Sequence, residues 1–459
     1  MTNPPTPDPY PPLRYVDYAL IPQAGTARLL VWEEAAGTRL PRWEPAARHF
    51  WQTVEGLNAA LGVACGVPLT TLRLLDTSYD PYRETLARLY LLEAHARGWE
   101  PPAPGRWASA AEVADQPDLP AEWPPLIRAW AAEAMGTALP PERAPWTRPG
   151  WWPGAVRWIG AQCRQLGVVP AAWPVQLRTW GRSCVAHQPA PGGGFYFKAV
   201  PPMGAYEPRL TAALAADDPA HFPAVVAHDA ARGWMLTRAL AGVPLDTIHD
   251  VARWEAAVRA YAGVQIRSVA LAPTLRAAGC PDRGLDRLAA DLDPFLAALG
   301  AYPLRSDEIA ALRARGPALH AAICELAALD VPLALDHGDL GPSNIMAGPG
   351  VDEYRFFDFS DSALTQPFFS LTLLLAAAAD LFRATPDATA RLRAAYLQPW
   401  IAHAAPDRLA RAWDLARLLA PWHHALTYHT QVLPGLGPDR GQMVGMVGYY
   451  LRGALRVAG

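Results

Sequence analysis

The sequence predicts an α+β protein in which a separate α/β domain precedes a small β-rich lobe and a large helical lobe. Three observations carry that prediction. Apolar runs with strand-like patterning crowd the first hundred residues and return over 175–245. From Asp250 onward, helical spacing takes over almost without interruption. Between these regions, residues 116–174 are crowded with Pro and Trp (PDLPAEWPP, LPPERAPWTRPGWWPG, VVPAAWP), a composition that interrupts both patterns. At 459 residues, 51% apolar and 18% charged, the chain is long enough for two or three cores and too apolar to be mainly disordered.

Composition also excludes some functions. A net charge of −3 gives no electrostatic case for a nucleic-acid partner. The longest mainly aliphatic run, residues 371–379, is too short to span a bilayer, so no membrane partner is expected. Residues 1–13 read as a Pro-rich tail without the regions of a signal peptide. Cys65, Cys163, Cys184, Cys280 and Cys324 are scattered, with no CxxC pair. That predicts reduced, mostly buried thiols and a cytoplasmic location. Nothing in these patterns sets an oligomeric state.

Taken in order, residues 14–136 form the first domain. Residues 16–32, broken at Gly25, read as a hairpin. Residues 48–62 have helical spacing, with Phe50, Val54, Leu57 and Leu61 on one face and an end at Gly62. Strands are expected at 70–75 and 86–94, then Gly105-Arg106-Trp107 and a short helix from Ser109. The high Pro density of 137–150 marks a linker. The small lobe, 151–242, opens with a helix over 151–166 whose face carries Val156, Ile159, Cys163 and Leu166. Three strands follow (VQLRTW, SCVAHQPA, FYFKAV), then a helix opened by Glu207 with Pro208 in its first turn, then two strands over 222–245. The large lobe, 243–459, shows helical spacing at 251–266, 284–298, 306–328, 371–381, 389–402 and 415–432.

Two features point to chemistry. Of the 40 Lys plus Arg residues one is lysine, Lys198, at the end of an apolar strand. A chain that uses Arg everywhere else keeps a compact ammonium where a flat guanidinium will not serve. The second feature is residues 335–361, LDHGDLGPSNIMAGPGVDEYRFFDFSD, which put His337, Asp339, Asn344 and Asp358 in one run, with a strand over 354–359 leading to the last.

This HGDxxxxN…DFxD form resembles the aminoglycoside phosphotransferase and choline kinase branch of the kinase-like fold. The resemblance implies a bilobal kinase-like fold for residues 151–459, with ATP and Mg²⁺ as cofactors and a hydroxyl of a small molecule as phosphate acceptor. It implies Asp339 as catalytic base, with His337 beside it buttressing the loop, and Asn344 and Asp358 as Mg²⁺ ligands. Lys198, paired by Glu207, would meet the ATP phosphates. Thr237 and Leu240 stand at the position of the hinge that meets adenine, and Gly181-Arg182-Ser183 where a phosphate-covering turn would lie. Asp361 is read as capping the following turn, with a second-metal role as the alternative. Gly341 stands where the family commonly has a His, removing an imidazole beside the site. His424 and Tyr428, four apart on a helix face, line an acceptor pocket or pack in the core. Asp380, Asp387, Asp407, Asp414 and Asp439 are scattered, so no carboxylate cluster for a polycationic acceptor is evident.

Residues 14–130 also resemble a Nudix fold with a degenerate signature. Aligned on Gly62 and Val63, Glu55 and Gly56 fall on the signature's Arg and Glu, and Ala59 and Ala60 on its metal-binding Glu positions. Methyl groups cannot bind Mg²⁺, which implies an inactive scaffold or recognition module. Two functions stay open: an ATP-dependent small-molecule O-phosphotransferase, and a non-catalytic nucleotide-binding sensor with the first domain as its recognition part.

Overall fold

The computed structural model describes residues 13–35, 37–136 and 143–457. Most of the Pro-rich tail and the first part of the expected linker, 137–142, lie outside the described residues. The chain divides into two compact units, Met1–Pro189 and Ala190–Gly459.

In the first unit, strands β1 (Arg14–Leu20), β2 (Arg28–Glu34), β3 (Gly37–Arg39) and β4 (Arg42–Trp43) precede helix α1 (Glu55–Cys65). Strands β5 (Leu69–Asp80), β6 (Thr85–Ala94) and β7 (Gly105–Ser109) follow, then helices α2 (Ala110–Ala114), α3 (Trp123–Met135) and α4 (Trp151–Gln165). The unit ends on β8 (Val175–Trp180) and β9 (Ser183–Gln188), an antiparallel pair. One sheet runs β4-β1-β6-β5, with β1 parallel to β6, and another runs β3-β2-β7.

Strand alternation builds two cores. Leu20, Leu29, Val31, Leu89 and Leu91 pack with Trp123, Ile127 and Trp130 of α3. Their neighbours Ile21, Leu30, Tyr90 and Leu92 pack with Leu57, Leu61 and Cys65 of α1. Successive side chains point to opposite faces, so runs such as Leu89-Tyr90-Leu91-Leu92 are apolar throughout because helices cover both faces. This is an α/β unit.

Several expectations are corrected here. The hairpin expected over 16–32 is confined to its tip around Gly25, where Gln23 N–H bonds Arg28 O and Leu30 N–H bonds Ile21 O, each at 2.9 Å, about the Pro22–Leu29 bridge; beyond it β1 pairs with β4 and β6, and β2 with β3 and β7. Pro22 has no N–H to extend that ladder. Helix α1 starts after Phe50, which is exposed, and runs through Gly62. It closes at Gly66, φ 64°, where Val67 N–H bonds Gly62 O at 3.1 Å. In α4 the buried face is Trp152, Ala155, Ile159 and Cys163, while Leu166 lies beyond the helix and is exposed.

The Pro- and Trp-rich stretch is largely ordered. Pro124 and Pro125 occupy the first turn of α3, where a missing N–H is tolerated. Arg143, Ala144, Trp146 and Thr147, inside the expected linker, are buried, and Trp146 Nε1 donates to Trp180 O at 2.8 Å. Gln176 of β8 is fixed from α1 and β5: its Nε2 donates to Thr71 O (2.9 Å), and its Oε1 accepts from Thr71 N (2.8 Å) and Asn58 Nδ2 (2.9 Å). These bonds tie β8 to the first unit, which also contains α4 and β9, so the division at Pro189 falls inside the 151–242 stretch.

The second unit begins with β10 (Phe195–Ala199), α5 (Glu207–Asp217), β11 (Val225–Asp229) and β12 (Trp234–Arg238), with β12 pairing antiparallel to both β10 and β11. At Gly242, φ 120°, a Cβ would sit 2.1 Å from Ala347 O, so only glycine passes there into β13 (Val243–Pro244). Helix α6 (Val251–Ala277), started by the Asp250 side chain accepting from Ala252 N–H, continues past residue 266, carries Pro273 inside its last turns, and ends before Gly279, φ 96°. Helix α7 (Leu285–Ala298) follows as expected. The single helix expected over 306–328 is two, α8 (Ser306–Arg313) and α9 (Gly316–Ala328), with Pro317 in the first turn of the second, where its missing N–H is tolerated.

Short strands β14 (Ala334–Asp336), β15 (Ile345–Ala347), β16 (Tyr354–Phe356) and β17 (Ala363–Thr365) come next. The strand expected over 354–359 thus ends at Phe356. Helices α10 (Leu371–Leu381), α11 (Ala388–Leu397), α12 (Pro406–Thr427), α13 (Leu433–Gly435) and α14 (Val444–Val457) complete the unit. Helix α12 begins earlier than residue 415, with Pro406 in its first turn, and passes at Tyr428–Val432 into a wider π turn. Among the described residues, no helix is long and apolar enough to cross a membrane. The cysteines are free, all but Cys324 buried.

Candidate active site

Two small ladders explain how residues 335–361 fold. Asp336, ending β14, pairs with Ala363, starting β17, and Ile345, starting β15, pairs with Phe356, ending β16. Loops 337–344 and 357–362 therefore leave adjacent ladder ends and face each other. Phe357 N–H donates to Asn344 O at 3.2 Å, and His337 Nε2 donates to Phe357 O at 2.9 Å, stitching the loops together. At Gly338, φ 77°, a Cβ would lie 2.2 Å from Asp361 O, so this turn requires glycine.

Lys198 lies at the centre of the charge arrangement. Its Nζ donates to Glu207 Oε1 and to Asp358 Oδ1, each at 2.7 Å. Strand β10 supplies the lysine, the first turn of α5 the glutamate, and the 357–362 loop the aspartate. Burial works against the ammonium, but Asp358 and then Glu207 outweigh it, and the Lys198 pKa is raised. Burial pushes the Glu207 carboxyl up to about 7, with Lys198 acting in the opposite direction. Burial also acts to raise Asp358, yet Lys198 and the Ser360 hydroxyl, which donates at 2.8 Å, hold it below the usual carboxylate range. Asp358 adopts φ 67°, a left-handed conformation rarely taken by a non-glycine residue and found disproportionately at functional sites.

Asp339 is exposed at the tip of its loop. Asn344 Nδ2 donates to Asp339 O at 2.9 Å and reaches Asp339 Oδ2 at 3.3 Å, so the two side chains share one end of the loop. His337 is fully buried, 4.7 Å from the Phe359 ring, and burial lowers its pKa, keeping it neutral. It holds the loop; the exposed carboxylate of Asp339 is the group that can meet an acceptor. Thr237 pairs with Tyr196 on the sheet face that carries Lys198, two residues along from the pair of Lys198 and Met235. Leu240 lies beyond β12, half-buried, and the ladder does not bring it to that face. Asp361 is buried and its carbonyl accepts from Arg283 Nη1 at 3.1 Å. His424 and Tyr428 are buried, each within 6 Å of the Tyr450 ring of α14.

Several residues that support the site escaped sequence reading. Asp336 is almost fully buried and accepts from Ser370 Oγ (2.6 Å), Ser370 N (3.0 Å) and Gly338 N (3.2 Å), with burial pushing its carboxyl up to about 6. It ties the Gly338 turn to the start of α10. From one face of α6, Tyr261 accepts from His337 N–H (2.9 Å), Gln265 donates to Leu335 O (3.0 Å) and Ser268 accepts from Leu335 N–H (2.8 Å). A Cβ at Gly341 would meet nothing closer than Ser343 Oγ at 3.7 Å, so packing does not demand glycine there.

No family model and no curated protein matches the sequence. Among solved structures, the chain is similar to the GDP and kanamycin complex of APH(2")-IIia, at 16% identity and TM-score 0.48, over 66% of this chain and 98% of that one. It is similar to a choline/ethanolamine kinase family protein from Mesorhizobium loti, at 18% identity and TM-score 0.43, over 66% and 98%. It is similar as well to a macrolide 2'-phosphotransferase from Brachybacterium faecium, at 18% identity and TM-score 0.43, over 64% and 98%. These are partial likenesses at low identity, and the chemistry of the site stands on its own residues.

Proposed function

We propose that this chain is an ATP-dependent O-phosphotransferase that moves the γ-phosphoryl group of ATP to a hydroxyl of a small molecule. The observation that carries the reading is the sole lysine, held buried and charged between Glu207 and Asp358 and beside a loop that ends in Asp339 and Asn344. Phosphoryl transfer is mostly positioning and neutralisation of charge, which is what such a constellation supplies.

Bound Mg·ATP would supply the phosphoryl group and a metal charge to steady it. Among the described residues, no group of three His, Cys, Asp or Glu side chains is placed to hold a metal by itself. Mg²⁺ needs only one or two protein oxygens when phosphates and waters complete its shell. Asp358, whose side chain is 36% exposed, and the Asn344 amide oxygen are hard donors of that kind. Lys198 is poised to meet phosphate oxygens, and Glu207 keeps it aimed. Asp339 would take the proton of the acceptor hydroxyl as that oxygen forms its bond to phosphorus and the bond to the departing ADP oxygen breaks.

In this reading the first unit is a scaffold or recognition module, since Ala59 and Ala60 of α1 cannot act as metal ligands, and the reaction belongs in the cytoplasm. Purified protein with Mg·ATP and a panel of hydroxylated acceptors tests the proposal by ADP release. Asp339→Ala is expected to lose at least about 10²-fold in turnover while still binding ATP. ATP binding with no transfer from the wild-type protein to any acceptor would instead favour the nucleotide-binding sensor.

A further inference from the structure

A cavity of about 230 Å³ opens in the second unit, walled by Arg283, by Arg287 and Asp291 of α7, and by Thr427, Thr430 and Gln431 around the π turn after α12. That volume is below the roughly 300–1,000 Å³ of pockets for drug-sized ligands, and suits a ligand of sugar size.

The charges in the wall are unequal. Arg287 is paired with Asp291 at 2.6 Å, and Asp282, also in the wall, is paired with Arg276 at 2.9 Å. Arg283 gives one nitrogen to Asp361 O at 3.1 Å and another to Gln431 Oε1, and among the described residues it makes no ion pair. A half-buried guanidinium hydrogen-bonded to neutral oxygens, and felt through space by the Asp336 carboxyl without an ion pair, gains from a ligand that brings a counter-charge, and its planar fork suits carboxylate or phosphate oxygens. Burial keeps His423, at the same wall, neutral, so it adds no competing charge.

Arg283 links the cavity wall to the loops of the site. Asp361 O, which Arg283 holds, is the atom against which Gly338 packs, and Gly338 immediately precedes Asp339. The cavity wall and the base are thus joined through one carbonyl oxygen.

Building on the phosphotransferase reading, we infer that this cavity seats the phosphoryl acceptor and that the acceptor is a small hydroxylated anion, a carboxylate or a phosphate ester, held by Arg283. Calorimetric titration of the wild-type protein with gluconate, glucose 6-phosphate, glucose and glucosamine, followed by an ADP-release assay with each, tests this. An acidic probe is expected to bind at least about tenfold more tightly than glucose, the difference of one charge-assisted hydrogen bond, and glucosamine least. Which acid binds better tells carboxylate from phosphate. Arg283→Gln is expected to abolish the preference and Arg283→Lys to keep part of it, which separates lost charge from lost folding. Equal binding of all four probes, preference for glucosamine, or no binding of either acid overturns the inference. Transfer to glucose or glucosamine that Arg283→Gln leaves unchanged overturns this inference alone. Arg283-dependent binding with no transfer to any acceptor overturns the acceptor role together with the proposed function.

Discussion

Two buried polar networks, one in each unit, join strands far apart in sequence, and they are built on opposite principles. In the first unit, Asn58, Thr71 and Gln176 form a neutral cluster: Thr71 Oγ1 donates to Asn58 Oδ1 at 2.7 Å, and Gln176 meets both the N–H and the carbonyl of Thr71. In the second, Lys198 stands between two carboxylates, and Glu207 Oε2 is buried with no hydrogen-bond partner among the described residues. A neutral, satisfied network fixes register at little electrostatic cost, whereas a charged and incompletely satisfied one is expensive to keep. The first therefore reads as architecture and the second as a site whose partner is still to come.

Substitutions can break each side of that contrast. The largest effect is expected from Lys198→Arg, which keeps the charge and changes its shape: phosphoryl transfer should fall on the order of 10²-fold in an ADP-release assay. Full activity in this variant would remove the case for the sole lysine. Gln176→Leu should act on folding, since it leaves the Asn58 amide and both Thr71 backbone groups unmet. We expect a loss of about 2–3 kcal/mol in chemical denaturation, and a change below about 0.5 kcal/mol would show that the cluster does not hold β8.

The smallest effect concerns His424, which sharpens the contrast by showing how the second unit treats a titratable group it keeps neutral. Burial lowers its pKa from 6.5 to about 4. The unfolded chain then binds the proton more strongly, so the stabilisation is complete above pH 6.5 and is lost as pH falls from there toward 4. Denaturation midpoints measured at about pH 7.5 and 5.5 should show the wild type losing about 1 kcal/mol more than His424→Gln. An equal loss in both would place the imidazole outside the buried set.

Local chemistry was the legible part of this chain. Lys198 was visible because the composition disfavours lysine, and Glu207 because a helix opens on it nine residues later; the structure sets them 2.7 Å apart. What escaped notice depends on partners remote in sequence. Asp336 reads as an ordinary polar residue at a strand end until Ser370 is brought against it. Tyr261 and Gln265 lie in a helix whose sequence shows mainly its apolar face, and Ser268 lies beyond the 251–266 stretch expected to be helical, so their shared side emerges only in the full α6. The hairpin over 16–32 shrinks to its tip for a related reason: apolar strands buried on both faces accept several registers, and the partners chosen, β6 and β7, lie many residues away. The break between α8 and α9 falls just before Gly316-Pro317, inside a stretch whose apolar periodicity runs on without interruption.

The lone lysine also gives the chain a single cleavage point for a lysine-specific protease. That point lies within β10, at a side chain hydrogen-bonded to two other elements. A protease needs an extended, accessible segment, so cutting there requires β10 to leave its ladder and Lys198 to release both carboxylates. The rate at which two fragments appear becomes a clock for the opening of this one place, read on a gel, with every other peptide bond silent. Any ligand that draws on the ammonium should slow that clock by the free energy with which it binds.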